Sequence, residues 1–98
     1  MTGRVLHTIL FNTRLDEAGV RALFEQAQQQ LGPIPGVRGF TFGQATGPGA
    51  RYRYLLQVHF ADAEVITQYR DHPVHQDFAR RVFRPVAEDR LTTDFLLL

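Results

Sequence analysis

Gln68-Tyr69-Arg70-Asp71-His72-Pro73-Val74-His75 is the stretch on which the fold of this chain turns. Proline has no N–H to give and its ring clashes with the turn before it. Pro73 therefore ends one helix, and it is a favourable first residue for the next. Upstream, Asp62 can cap a short helix running through Tyr69, with Val65, Ile66 and Tyr69 on its inner stripe. Downstream, His75, Phe78, Ala79 and Val82 recur at helical spacing, so His75 joins an apolar stripe. A residue before proline is biased to extended backbone. His72 should thus leave that stripe and cap the helix or pack at the kink, which argues against a His-x-x-His metal pair. No metal and no cofactor are expected.

Working outward, the elements follow in the order β-α-β-β-α-α-β. A first strand spans about Arg4 to Asn12, with Val5, His7, Ile9 and Phe11 on one face and Leu6, Thr8, Leu10 and Asn12 on the other. Asp16 caps the first helix, whose stripe is Val20, Leu23, Phe24, Ala27 and Leu31. Gly32 and Pro33 stop it. Pro35-Gly36 turns the chain into a strand from Val37 to Gly43, where Arg38, Phe40 and Phe42 share a face. Gln44 to Ala50 reads as a hairpin tip or open loop. A third strand runs from about Arg51 to Phe60, with Tyr54, Leu56, Val58 and Phe60 opposite Arg53, Leu55, Gln57 and His59. The last strand is Leu91 to Leu98. Helices can cover one face of a four-stranded sheet. Leu6, Leu10, Leu55 and the Leu96-Leu97-Leu98 tail then lack cover, and a second copy of the chain is the simplest one. The expectation is a homodimer burying roughly 800 Å² per partner.

Ninety-eight residues make one domain, residues 1–98, able to bury about two thirds of its unfolded surface. Eleven basic residues against ten acidic give a net charge of +1, which argues against a nucleic-acid binder built on phosphate neutralisation. All the basic residues are Arg. Without Lys there is no Schiff-base chemistry and no P-loop lysine; without Cys there is no disulfide, thiolate nucleophile or thiolate-held metal. Gly43, Gly47 and Gly49 lack the helix start and Lys-Ser/Thr of a phosphate loop. No run approaches the roughly 20 apolar residues of a membrane span, and the first thirteen residues read as a strand and not as a leader. The default location is the cytoplasm.

The stretch from Gln68 to His75 resembles the signature of the stress-responsive α/β-barrel domain family, a tyrosine followed after a short gap by His-Pro-x-His. Ile34-Pro35-Gly36-Val37 and Asp94-Phe95 agree with it, and the resemblance spans essentially the whole chain. It implies a ferredoxin-like α+β fold, a four-stranded antiparallel sheet whose faces pair in a dimeric α/β barrel. One branch of the family, similar to olivetolic acid cyclase, closes polyketide chains by aldol chemistry without metal or organic cofactor. Carried over by position, that branch implies a site of His7, Tyr54, Tyr69 and His75. It has a histidine where this chain has Tyr54.

Read as chemistry, His75 on an apolar face suits a general base at neutral pH, and equally a core histidine bonded to a carbonyl. Tyr69 can hold an enolate oxygen or relay a proton, or simply pack. His7 can polarise a carbonyl, or bond to Tyr54 across the sheet. The expected catalytic set is His75, Tyr69 and His7. Tyr54, Ile9, Phe24 and Val82 are expected to bind a small, mostly apolar, carbonyl-rich ligand in the same cavity, with Tyr54 on its floor. His59 falls on the opposite face, at the dimer barrel. Arg80, Arg81 and Arg84 read as a solvated helix end, or as contacts to an acyl-phosphate or coenzyme A. A polyketide cyclase-like enzyme is the first functional reading. The others are a non-catalytic stress or ligand-binding protein and a cofactor-poor monooxygenase or haem-handling protein. Phe24→Ala is expected to cost about 3–5 kcal/mol.

Overall fold

A computed structural model describes residues 3–98. Met1 and Thr2, the start of the segment read above for a leader, lie outside the described residues. The strands are β1 (Val5–Thr13), β2 (Val37–Gln44), β3 (Tyr54–Phe60) and β4 (Ala87–Leu96), and the helices α1 (Glu17–Leu31), α2 (Glu64–Asp71) and α3 (Pro73–Phe78). A π-helical segment, Ala79–Phe83, continues α3. The sheet is antiparallel throughout, in the order β2-β3-β1-β4. This is the α+β, ferredoxin-like arrangement expected from the sequence. Among the described residues, no helix is long and apolar enough to cross a membrane.

The helices cover one sheet face. Val5, Phe11, Leu56, Val58 and Phe60 project from it and are fully buried against Leu23, Ala27 and Leu31 of α1 and Phe78 of α3. Asp16 begins α1 as expected, accepting the Gly19 N–H at 2.8 Å. Phe24 is only half-buried, at the rim of this stripe, where it stacks on Phe42 at 4.5 Å between centroids. The cost expected for its removal therefore belongs elsewhere in the core. At Gly36 the backbone has φ +89°, and a Cβ there would lie 2.5 Å from Val65 Cγ2. Only glycine lets this turn close against α2.

Several details differ from the sequence reading, the larger ones for a visible reason. β3 begins at Tyr54 and not at Arg51, because the Asn12 side chain takes the place of a strand partner. Its amide donates to Arg51 O at 2.9 Å and its Oδ1 accepts the Arg53 N–H at 2.8 Å. β4 begins at Ala87 and not at Leu91, and it stops at Leu96. Its pairing with β1 shifts register between Leu10 and Asn12, and Asp89 sits there at φ 48°, held by Arg51 at 3.0 and 3.2 Å. In β2 a bulge at Arg38 turns its side chain out, so Val37 and not Arg38 shares the core face with Phe40 and Phe42.

Pro73 separates the two short helices as the sequence implies. His72 is extended (φ −68°, ψ 131°), and its Nδ1 accepts the Val74 N–H at 3.1 Å, capping α3. Beyond Phe78 the helix widens. Arg84 N–H reaches Ala79 O at 2.9 Å, an i to i+5 bond, just before Pro85 removes the next donor.

Candidate functional site

β1 and β4 place a histidine beside a carboxylate. Register pairs His7 with Asp94, and His7 Nδ1 donates to Asp94 Oδ1 at 2.6 Å. A carboxylate only accepts, so this bond fixes the proton on Nδ1. Nε2 takes no partner among the described residues. The His7 ring stacks on Phe60 at 5.5 Å and lies 5.5 Å from the Tyr69 ring.

Tyr69 reaches the same place from α2. Its side chain is 3% exposed, its ring packs on Phe60 at 4.8 Å, and its hydroxyl has no hydrogen-bond partner among the described residues. Burial pushes the phenol pKa well above its usual value, so Tyr69 stays a proton donor. His75 follows across the Pro73 break, its ring centroid 4.2 Å from that of Tyr69. His75 Nδ1 donates to Arg70 O at 3.2 Å, which leaves the lone pair on Nε2 in the neutral ring. Burial lowers the His75 pKa, and the charges of His7, Arg84 and His72 add to this against the favourable Arg70 carbonyl. His75 is thereby a neutral imidazole at neutral pH.

These three rings border one cavity of about 310 Å³. Ile9, Leu56 and Thr92 line its sheet side, and Ile66, Phe78 and Phe83 its helix side, with Arg70 and Arg84 also on the lining. A largely apolar hollow with a few converging polar groups suits a small organic ligand.

The structure thus brings His7, Ile9, Tyr69 and His75 together. Tyr54 and Phe24 do not join them.

 Phe24 and Tyr54 line a second cavity of about 190 Å³ with Val20 and Phe42. The reason is register. Tyr54 pairs with Phe11, whereas His7 pairs with Val58, four residues and about 13 Å further along β3. Phe11 stands beside Tyr54, at 5.7 Å between ring centroids, and not His7, so the alternative His7–Tyr54 bond does not form. Val82 lines neither cavity. The widened turn after Phe78 carries Phe83 inward in its place, only 5% exposed. Asp94 and Phe83 are the site residues that reading by period alone misses. His59 lies on the open sheet face, where its Nε2 meets Thr41 Oγ1 at 2.8 Å.

The chain matches the family described as the stress responsive A/B barrel domain over residues 5–97. No curated protein matches it. Among solved structures it resembles a Dabb family protein with a ferredoxin-like fold from Mesorhizobium loti, at 28% identity, 98% of each chain and a TM-score of 0.84. A dimeric ferredoxin-like protein from Thermobifida fusca is 22% identical over 99% of this chain and 93% of that one, with a TM-score of 0.77. A hydroxynitrile lyase from Passiflora edulis shares the fold at 14% identity, over 100% of this chain and 96% of that one, with a TM-score of 0.83. With the match running from the first strand to the end of the last, the chain belongs to the stress responsive A/B barrel domain family.

Proposed function

We propose that the chain is a single-domain acid/base protein that binds a small, mostly apolar carbonyl compound between its helices and its sheet. It moves a proton α to that carbonyl, the step that opens an aldol-type ring closure. The observation that carries this is the meeting of His7, Tyr69 and His75 around one cavity, with two imidazole nitrogens and one hydroxyl left unpaired there. His75 Nε2 takes the α proton. The electron pair moves to the carbonyl oxygen, and the Tyr69 hydroxyl donates to that oxygen as charge develops. The protonated His75 then returns the proton, while Asp94 holds His7 in the Nδ1–H tautomer, which leaves the His7 Nε2 lone pair as an acceptor. A lyase on the same fold in Passiflora edulis makes such chemistry compatible with the scaffold. The test is exchange of the α hydrogens of aryl and alkyl methyl ketones for solvent deuterium, followed by proton NMR. Exchange that exceeds the buffer rate and saturates with ketone is expected; binding without exchange would reduce the site to a receptor.

The protein acts as a homodimer. Its uncovered sheet face presents Leu91 at 48% and Phe95 at 51% exposure beside the partly exposed Leu6, Leu10 and Leu55, an apolar patch that a second copy of the chain would cover. The Thermobifida fusca relative is described as dimeric. Light scattering at micromolar concentration should give twice the 11.2 kDa chain mass, and Leu10→Asp should halve it. A wild-type monomer would refute this.

A further inference from the structure

Beside the site runs a second hollow of about 310 Å³, lined by Arg70, His75, Gln76, Ala79, Arg80 and Arg84. It shares Arg70, His75, Ala79 and Arg84 with the reacting cavity, so the two are adjoining parts of one cleft. No acidic side chain lines it. The charge is only partly balanced from elsewhere: Asp94, on the adjoining cavity, is taken up by His7. Arg81, on the same helical turn, pairs with Asp77 at 3.0 Å, whereas Arg80 and Arg84 have no ion-pair partner among the described residues. Arg70 has only a 3.5 Å contact with Asp71. Arg80 and Arg84 are also four residues apart, a spacing at which like charges on a helix repel. Three guanidinium groups thus gather at the mouth of a cavity that otherwise suits an apolar ligand.

We propose that Arg70, Arg80 and Arg84 hold a carboxylate of the ligand, so that the substrate class is a keto acid whose apolar carbonyl end enters the His75 cavity. This rests on the reading of that cavity as a carbonyl site. A guanidinium presents paired N–H donors that match the two oxygens of a carboxylate, and the neighbouring apolar cavity fixes which end of the ligand goes in first. The anion at the mouth also sets the register of the carbonyl against His75 and Tyr69.

Two near-isosteric probes, one anionic and one neutral, test it: 4-acetylbenzoate and 4-acetylbenzamide, titrated into the full chain by NMR at low and moderate salt. The wild type should prefer the carboxylate by roughly tenfold, the ratio that two exposed charge-assisted contacts supply together. Added salt should shrink that preference. Arg80→Gln, which lies outside the reacting cavity, should cut the preference severalfold while leaving the benzamide affinity unchanged, and Arg81→Gln should keep it. Equal affinity of the wild type for both probes overturns the proposal and leaves the carbonyl site standing. Retention of the full preference by Arg80→Gln also overturns it. If neither probe binds, the carbonyl reading and this inference fall together. 4-Acetylphenyl phosphate binding with a preference that outlasts moderate salt, where the carboxylate shows none, would overturn the carboxylate in favour of a phosphate.

Discussion

His75→Ala should slow α-hydrogen exchange of a methyl ketone by about 10²–10⁴-fold, the range that a positioned general base contributes. The residue is well placed to give so large an effect. Its Nδ1 is committed to the Arg70 carbonyl, its Nε2 holds the lone pair, and its ring lies 4.2 Å from that of Tyr69, centroid to centroid. The substitution should leave the fold intact, because the imidazole is half-buried and its one hydrogen bond ends on an exposed carbonyl. A thermal melt close to wild type would confirm that activity and not folding was lost. Tyr69→Phe should cost less, since it removes one donor to the oxyanion and keeps the base. A fully active His75→Ala protein would assign the proton transfer to another group.

The largest loss of stability should come from Phe11→Ala, at about 3–5 kcal/mol in urea melts. Phe11 is 0% exposed and lies between the two cavities, its ring meeting Phe83 at 5.1 Å, Tyr54 at 5.7 Å and Phe24 at 6.2 Å. Emptying it would remove contacts from β3, α1 and the π-helical segment at once, and a close-packed interior collapses only partly into such a void. Phe24→Ala should cost less, because that ring is half-buried at the edge of the same cluster. A loss under about 1 kcal/mol for Phe11→Ala would show that the core closes elsewhere.

The parts of this fold that were legible are those written in local chemistry. Pro73 marks a break that any backbone must respect, and Asp16 and the period from Val20 to Leu31 define α1 without reference to its neighbours. The site was legible in part for the same reason: His7 and Ile9 share a strand face by alternation, and Tyr69 and His75 flank the proline. What could not be read there depends on pairing. Whether Tyr54 or Val58 stands across from His7 is a matter of register, which no alternation pattern fixes. Asp94 becomes the partner of His7 only once β4 is set beside β1. The exchange of Val82 for Phe83 has a different origin, a single widened turn that helical period cannot anticipate. The start of β3 was hidden because a side chain, Asn12, does the work of a strand.

The central claim is that a neutral His75 takes a proton in this cavity, and the rate of ketone exchange against pH tests it most directly. Burial, with the charges around it, holds the His75 pKa below the usual imidazole value of 6.5. The base form is the unprotonated one, so the rate should rise with pH, pass its midpoint below that value and be level at neutral pH. No fall should follow through the neutral range, because burial keeps the Tyr69 phenol protonated well beyond it. A rate that instead declines as pH rises through the imidazole range would mean that the essential group works as an acid, and would contradict the account.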